Sequence, residues 1–347
     1  MGFFDPFDYS KTIRAMFPSS NIDHLYVFNY MVDVLFMDRL LKSFKIANTH
    51  IIAQKVDFVS GYTYIKPNLP FAYGTHHTKM FICFCANSCH VVIHTANIIP
   101  RDWKFKTQGY HVFKGTLGSK SSNFKTDLID YIDGYRNLNE LSQLLSLFEF
   151  DSNLSLVPSI PGKFIDKRYG LNRIKDLMCT HRFDTLIVQV SSIPKMGFTF
   201  QKSPIFALMQ AFNCATVKLI YPSKDAICDS YEGIDAGNSF PHAPQNYQIH
   251  KNWLMPCLHH WKTKDPILNQ CMPHIKTFAV EIDGIIEYTL QSSHNISNAA
   301  WGSINKQGEL FIKSYELGVL EIGDHVPYAL PLTKYEDKDE MWVSGSN

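Results

Sequence analysis

Residues 75–97 read THHTKMFICFCANSCHVVIHTAN, with His77 and Lys79 two positions apart before one apolar run and Asn97 after the next. Two apolar runs separated by a turn signal at Asn87 predict a β-hairpin. A hairpin folded at this turn returns Asn97 to the side of His77. Because side chains at i and i+2 of a strand point to the same face, the imidazole and the ammonium would lie side by side. The segment therefore predicts a compact set of one His, one Lys and one Asn.

The same pattern occurs again in residues 272–295, which read MPHIKTFAVEIDGIIEYTLQSSHN. His274 and Lys276 precede the first apolar run, an Asp-Gly turn signal follows it, and Asn295 ends the second run. In both copies a Trp follows the Asn at the same distance, which indicates an internal duplication. Two such sets facing each other predict a phosphoryl-transfer site.

A third His-x-Lys pair, His260 and Lys262, lacks this context. Apolar side chains in residues 252–264 have helical spacing, and no Asn-bearing strand follows them. We therefore expect this third pair on the surface of a helix, outside the site.

Composition limits the possible classes of protein. The chain has 347 residues, is 45% hydrophobic and carries a net charge of +1. It is long enough for two domains with substantial cores. No segment approaches the run of about twenty apolar residues that a membrane span needs. The near-neutral charge provides no global attraction for nucleic acid, so any DNA contact must come from a local groove.

The eight cysteines form no Cys-x-x-Cys motif. Cys83 and Cys85 alternate within an apolar strand, which favours a buried pair over a zinc site. We expect reduced thiols and an intracellular protein, and the N-terminus shows no secretory signal.

Strands and helices alternate through both halves of the chain, which predicts an α/β fold. Each half carries one His-Lys-Asn set. The economical arrangement is a pair of α-β-α domains related by a pseudo-twofold axis, with the active site in the seam between them. We divide the chain into residues 1–153 and 154–347. We expect strands at 51–53, 55–59, 80–85, 91–95, 154–157, 185–190 and 218–221, and helices at 30–44, within 124–148, and at 204–212 and 251–264.

These residue types suit phosphodiester cleavage. One imidazole can attack phosphorus and form a covalent phosphohistidine. The opposite imidazole can protonate the leaving oxygen and then deprotonate a water, a role worth about 10² to 10⁴ in rate. Lys79, Lys276, Asn97 and Asn295 would hold the phosphoryl oxygens. No carboxylate cluster with metal-ligand spacing accompanies them, so we expect a metal-independent enzyme without a cofactor.

The doubled His-x-Lys with Asn resembles the phospholipase D superfamily, whose usual signature continues from Lys to an Asp that both copies lack. Longer motifs are similar to the tyrosyl-DNA phosphodiesterase family, and the similarity covers most of the chain. These motifs are residues 74–80, 92–97, 102–103, 106–109, 272–277, 295–302 and 314–320. The resemblance implies two phospholipase D-like domains.

The resemblance also implies roles for individual residues. His77 would be the nucleophile, and His274 the general acid and then the base. Gln108 and Glu316 would orient the two imidazoles, because one ring nitrogen must be held for the other to face the phosphate.

Four further residues match positions that contact DNA in the family. Tyr73 would stack on a base, while Ser191, Ser192 and Ser297 would contact the DNA. Residues 193–195 depart from the family's usual pattern. Asn298 stands where animal members commonly have Lys, and the loss of this charge should weaken phosphate attraction.

The implied substrate is a DNA 3′-phosphate joined to the tyrosine of a stalled topoisomerase I, in single-stranded or end-frayed DNA, and the implied product is a 3′-phosphate. Other 3′-blocking adducts and the topoisomerase peptide are expected to fit the same groove. We expect a monomer, since one chain holds both sets, and a nuclear location by family analogy, although the sequence shows no import signal.

Two other functions remain open at this stage. The first is a lipid phosphodiesterase or general nuclease of the same superfamily. The absence of the signature Asp from both copies argues against it. The second, from another class, is an inactive DNA-binding module.

Overall fold

The computed structural model describes residues 1–17 and 21–345, and its first half is built on one large sheet. The strands of this half are β1 (Gly2–Phe3), β2 (Asn21–Val32), β3 (Lys45–Val56), β4 (Thr63–Ile65), β5 (Met80–Cys85), β6 (Ser88–His94), β7 (Lys106–Thr107), β8 (Gly109–Leu117) and β9 (Phe148–Phe150). The helices are α1 (Tyr9–Met16), α2 (Val34–Leu41), α3 (Pro100–Trp103), α4 (Asn123–Asp133) and α5 (Asn139–Ser146).

A second large sheet organises the other half. Its strands and those of two small sheets are β10 (Ser155–Ser159), β11 (Gly162–Phe164), β12 (Phe183–Gln189), β13 (Cys214–Ile220), β14 (Leu258–His259), β15 (Met272–Pro273), β16 (Lys276–Ile282), β17 (Ile285–Ser292), β18 (Ser303–Ile304), β19 (Leu310–Ile312) and β20 (Glu316–Ile322). The α-helices are α6 (Gly170–Met178), α7 (Pro204–Ala211), α8 (Lys224–Cys228), α9 (Pro244–Leu254) and α10 (Asn298–Trp301). Short 3₁₀ helices lie at Phe200–Lys202, Gly233–Ser239, Met255–Cys257 and Pro266–Gln270.

The two large sheets repeat one topology. The first has the strand order β1-β8-β6-β5-β2-β3-β4, with β9 on β8, and the second has the order β10-β20-β17-β16-β12-β13-β14. Corresponding pairs of neighbouring strands in the two sheets also agree in direction. In each sheet only the last two strand pairs of the order are parallel, and the others are antiparallel. The α/β class and the duplication predicted from the sequence are thus found in the strands themselves.

Both predicted hairpins form, and both have the expected register. Met80 pairs with Ile93 in the first, and Lys276 pairs with Ser292 in the second, so each Asn returns beside its His. Asp283 and Gly284 both have positive φ, which a tight type I′ hairpin turn requires. These local signals were sufficient because hairpin register follows from turn length.

The helix predicted at 30–44 is shorter than expected. Strand β2 continues to Val32, and α2 begins only after Asp33, whose side chain accepts a hydrogen bond from Phe36 N at 2.9 Å. The apolar run that starts β2 is buried in the middle of the sheet, and its length overrides the helical spacing of the residues that follow. The strand predicted at 51–53 and the first two residues of the one predicted at 55–59 are parts of one longer strand, β3, which ends at Val56.

The helix predicted at 251–264 is wrong. Helix α9 ends at Leu254, and Pro256, which has no N–H to donate, lies in a 3₁₀ turn that leads into β14. His260 therefore lies directly after β14, where its ring stacks on Tyr335 at 4.4 Å and its Nε2 lies 2.9 Å from Asp339 Oδ2. The third His-x-Lys pair lies outside the site, as expected, but not on a helix.

The largest hydrophobic core is continuous across both halves. It includes Phe28 and Tyr131 from the first half and Leu156 and Phe278 from the second, all fully buried. A smaller core lies between the other face of the first sheet and helices α1 and α2. The first large sheet ends at Phe150 and the second begins at Ser155, while the division at residues 153 and 154 remains a prediction.

Backbone hydrogen bonds join the halves at each predicted histidine. His77 N donates to Tyr315 O at 2.9 Å, and Tyr315 N donates to Thr75 O at 2.8 Å. In the other copy, His274 N and Ile275 N both donate to Thr107 O at 3.0 Å, next to the parallel pairing of β7 with β15. Each histidine is thus held by the backbone of the opposite half.

Gly74 tests this attachment. A Cβ added there would lie 2.4 Å from Lys313 O, a backbone atom two residues before Tyr315. We expect Gly74→Ala to lower the free energy of unfolding by about 1 to 3 kcal/mol, as overpacking does, and to displace His77. Thermal unfolding and activity are the measurements. Gly61→Ala is the control, because a Cβ there meets open space and strains only the local backbone; equal activity losses in both variants would contradict the expectation.

Candidate active site

The ring of His77 is held through Nδ1. This atom lies 2.9 Å from Ser293 O and 3.0 Å from Glu316 Oε2. A backbone carbonyl can only accept a hydrogen bond, so Nδ1 carries the proton. The neutral ring then has its lone pair on Nε2, as a nucleophile requires.

Glu316 is buried and ionised. Burial raises the pKa of Glu316, but the charge and hydrogen bond of His77 and the hydroxyl of Ser293 outweigh this effect and hold the pKa below its ordinary value. For His77, burial lowers the pKa, Glu316 opposes that effect, and Lys79 adds to it. The net direction is downward, so His77 is neutral near pH 7.

His274 has two neighbours at Nδ1. Gln108 Nε2 lies 3.1 Å away, and Asp102 Oδ2 lies 3.3 Å away. Gln108 is the partner that the family resemblance implies, whereas Asp102, although part of the motif at 102–103, was given no role from the sequence. Burial, followed by the charges of Lys276 and Lys79, lowers the pKa of His274 well below its ordinary value.

The orienting partners of the two histidines cross the seam. Glu316, in the second half, holds His77 of the first, and Gln108, in the first half, holds His274 of the second. Gln108 immediately precedes β8, and Glu316 begins β20, the matching strand of the other sheet. The two residues therefore occupy corresponding positions of the repeated fold.

The two lysines are fully buried, and each folds back on its own histidine. Lys79 Nζ donates to His77 O at 2.7 Å, and Lys276 Nζ donates to His274 O. Burial lowers the pKa of Lys79 to about 8, while Glu316 and Asp102 act in the opposite direction. Burial, and then the charge of Lys79, lowers the pKa of Lys276 well below its usual value. The two lysine side chains lie within electrostatic range of each other, and a bound anion would favour their charged forms.

The two asparagines are fixed differently. Asn295 Oδ1 accepts hydrogen bonds from Ser191 N at 3.1 Å and Ser192 N at 3.0 Å, which leaves its NH₂ group as the available donor. For Asn97 the backbone is held instead: its N–H donates to Asp102 Oδ2 at 2.8 Å, and Trp103 Nε1 donates to its carbonyl at 2.9 Å. The Oδ1 of Asn97 is buried and has no partner among the described residues.

A pocket in the seam brings part of these groups together, but Lys79, Lys276 and Gln108 are not among the residues that line it. It is lined by both histidines, both asparagines and Glu316, and also by Tyr30, Lys55 and Arg101. The ring of Tyr30 lies 5.7 Å from that of His77, and Lys55 Nζ lies 5.1 Å from the Tyr30 centroid. Lys55 and Arg101 are exposed basic side chains that sequence motifs did not indicate.

Three of the four predicted DNA-contacting residues line this pocket, namely Ser191, Ser192 and Ser297. Ser191 is buried, however, and its Oγ lies 3.4 Å from Asn295 Oδ1. Ser297 caps α10 by accepting a hydrogen bond from Ala300 N at 3.1 Å.

Tyr73 is not part of the pocket lining. It is 89% exposed, has a φ of 64°, and its ring centroid lies 6.0 Å from Lys313 Nζ.

No group of three or more His, Cys, Asp or Glu side chains suitable for a metal occurs within residues 1–17 and 21–345. Nor, within the same ranges, is any helix long and apolar enough to span a membrane. Metal independence itself remains a prediction.

Comparisons with known proteins agree on one family. Residues 7–336 match the sequence model of the family described as tyrosyl-DNA phosphodiesterase. A probable tyrosyl-DNA phosphodiesterase of Caenorhabditis elegans is 31% identical over 81% of this chain and 70% of its own length. Tyrosyl-DNA phosphodiesterase 1 of Arabidopsis thaliana is 30% identical over 74% of this chain. The match covers 48% of the plant protein, about half of its length.

The fold agrees with the sequence comparisons. The crystal structure of the yeast tyrosyl-DNA phosphodiesterase superimposes with a TM-score of 0.81 over 100% of both chains, at 17% sequence identity. Together with the match over residues 7–336, this shows that the chain belongs to the tyrosyl-DNA phosphodiesterase family of DNA-repair phosphodiesterases.

Proposed function

We propose that this protein hydrolyses the bond between a DNA 3′-phosphate and the tyrosine of a stalled topoisomerase I, by way of a covalent phosphohistidine on His77. The observation that carries the proposal is the environment of His77 Nδ1. Its two partners, Ser293 O and Glu316 Oε2, leave Nε2 as an uncharged nucleophile in a pocket that also contains His274.

In the first step, Nε2 of His77 attacks phosphorus, a P–N bond forms, and the P–O bond to the tyrosine breaks. His274, which must enter this step as an imidazolium, gives a proton to the leaving tyrosyl oxygen and is left neutral. In the second step, a water attacks phosphorus, His274 takes a proton from it, and the P–N bond breaks. The products are a DNA 3′-phosphate and the restored His77.

The remaining groups of the two sets stabilise negative charge on the phosphoryl oxygens. Lys79 and Lys276 supply charge, and the NH₂ group of Asn295 is oriented by the backbone at Ser191 and Ser192. Such donors are fixed before the reaction starts, in a site from which most water is excluded, where electrostatic stabilisation is strongest.

The remaining details of the substrate rest on the family. Tyr73 would stack on a base of single-stranded or frayed DNA through its exposed ring, and Ser192 and Ser297 would contact the DNA from the pocket wall. We also propose that the protein accepts other 3′-blocking adducts and a topoisomerase-derived peptide on the leaving group. We further propose that it acts as a monomer and is located in the nucleus.

An oligonucleotide with a 3′-phosphotyrosyl end, incubated in EDTA, tests the activity. We expect release of tyrosine, and a rate lower by at least about a hundredfold in His77→Ala, because the nucleophile is lost. His181→Ala, which removes an exposed imidazole, should leave the rate unchanged. An unchanged rate in His77→Ala would exclude this mechanism, and turnover of lipid or internal phosphodiesters alone would favour the other superfamily functions.

His274→Ala separates the two steps. With a leaving group such as p-nitrophenol, which needs no proton, the first step should proceed while the second is slowed by about 10² or more. A DNA adduct on His77 should then accumulate and be visible by intact mass and peptide mapping. Loss of activity without an adduct would remove His274 from the second step.

The pKa of Lys79, at about 8, gives a pH prediction. As the pH rises through 8, Lys79 loses its proton and its attraction for phosphate, so kcat/KM, which reports the free enzyme, should fall on the alkaline side. In Lys79→Arg this fall should move to higher pH, because a guanidinium does not titrate there. The exposed Lys264→Arg is the control, and an alkaline limb that stays in place in Lys79→Arg would refute the assignment.

A further inference from the structure

A buried network of hydrogen bonds adjoins the first His-Lys-Asn set. Thr78 Oγ1 is hydrogen-bonded to Tyr131 Oη, which lies 3.1 Å from Tyr135 Oη. Tyr135 Oη in turn lies 2.9 Å from His76 Nε2. These four residues, which we call the hydroxyl network, are at most 1% exposed, and none of them lines the pocket.

The direction of each hydrogen bond in the network is determined. His76 Nδ1 lies 2.8 Å from Asn29 O, which can only accept, so Nδ1 carries the proton. Burial lowers the pKa of His76 to about 3, so the ring is neutral and its Nε2 accepts the hydroxyl proton of Tyr135. Since that proton is then committed, Tyr135 accepts from Tyr131, and Tyr131 accepts from Thr78. Burial raises the pKa of both tyrosines, so their hydroxyls keep their protons.

The network extends to the segment that carries the asparagine of the first set. The carbonyl of Asn29 accepts the proton of His76, and its Nδ2 donates to Ala96 O at 3.2 Å. Ala96 directly precedes Asn97. The two segments that supply the first set are therefore joined through one buried amide.

The network also reaches the residue next to the carboxylate that holds His77. The ring of Tyr135 stacks on that of Tyr315, with centroids 4.3 Å apart. Tyr315 accepts the backbone N–H of His77 at 2.9 Å and directly precedes Glu316. The position of Tyr135 therefore affects both the nucleophile and the carboxylate that orients it.

The second copy of the pattern lacks this network. The positions that correspond to His76 and Thr78 are occupied by Pro273 and Ile275. Neither side chain carries a group that can donate or accept a hydrogen bond. The network therefore belongs to the copy that holds the proposed nucleophile.

We propose that the hydroxyl network positions His77 for its attack on phosphorus. The proposal rests on the function proposed above. A buried network in which every member is hydrogen-bonded is rigid, and His77 must be in place twice, first as the attacking group and then as the leaving group. A displacement of about 1 Å at a reacting atom can cost about a hundredfold in rate. The members of the network are positioning residues, because none of them touches the substrate.

Tyr135→Phe tests the role, because it leaves His76 Nε2 without a donor and Tyr131 without an acceptor. With a 3′-p-nitrophenyl phosphate oligonucleotide and enzyme in excess, the release of p-nitrophenol reports the attack by His77. We expect this rate to fall about ten- to a hundredfold through displacement of His77. The KM for the tyrosyl substrate should stay within about twofold of the parent's, since the pocket lining is unchanged. An unchanged rate in the folded variant would overturn the proposal.

Tyr335→Phe is the matched control. Tyr335 is also buried, and its hydroxyl donates to Tyr221 O at 2.8 Å, outside the pocket. Both variants should lower Tm by a similar amount, but only Tyr135→Phe should slow the attack. If both lost the same fraction of the rate, the loss would follow stability alone and the positioning role would be wrong.

Thr78 provides a second test at the other end of the network. Thr78→Val removes the hydroxyl and should slow the attack, whereas Thr78→Ser keeps the hydroxyl and should retain most of the rate. The double variant Thr78→Val/Tyr135→Phe should be no slower than Tyr135→Phe, because losses within one network do not add. Equal rates in Thr78→Val and Thr78→Ser, or additive losses in the double variant, would contradict a single network.

The outcomes distinguish this proposal from the function on which it rests. If the parent protein releases neither tyrosine nor p-nitrophenol, the proposed function fails. If the parent is active and His77→Ala is not, while Tyr135→Phe matches the parent, only the role of the network fails. Should the variants not fold, ¹⁵N NMR of the parent decides: His76 should stay neutral with its proton on Nδ1 from about pH 5 to pH 8, and a proton on Nε2 overturns the proposal.

Discussion

The active site depends on backbone hydrogen bonds that cross between the two halves of the chain. Tyr315 binds the segment before His77, and Thr107 binds the segment at His274. These bonds fix each histidine relative to the other half before any side chain is considered. Glu316 can hold His77, and Gln108 can reach His274, only because the main chain has already set their separation.

Burial of several charges in one place is the second constraint. Lys79, Lys276 and Lys106 are buried beside Glu316, Asp102 and Glu232, so positive and negative groups compensate one another. Buried ions without partners would be strongly destabilising. The exposed Lys55 and Arg101 add positive charge at the pocket, which favours the binding of a phosphate. The same arrangement therefore serves both the stability of the fold and the binding of substrate.

Much of this could be predicted from the sequence because the signals were local. The two hairpins, their turns and the return of Asn97 and Asn295 followed from alternating apolar runs and turn residues. The helix at 251–264 failed because Pro256 ended it, although its apolar spacing continued. Asp102, although part of a motif, was given no role because nothing in its own segment indicates that it lies close to His274, far away in the chain. The hydrogen bond from Ser191 N to Asn295 Oδ1 could not be predicted for the same reason.

The crossed arrangement of partners also determines how the protein fails. If the seam loosens, His77 moves away from Glu316 at the same moment that His274 moves away from Asp102 and Gln108. Both histidines then lose their orienting partners together. The two sets therefore act as one unit, and a molecule whose seam has opened retains neither half of the site.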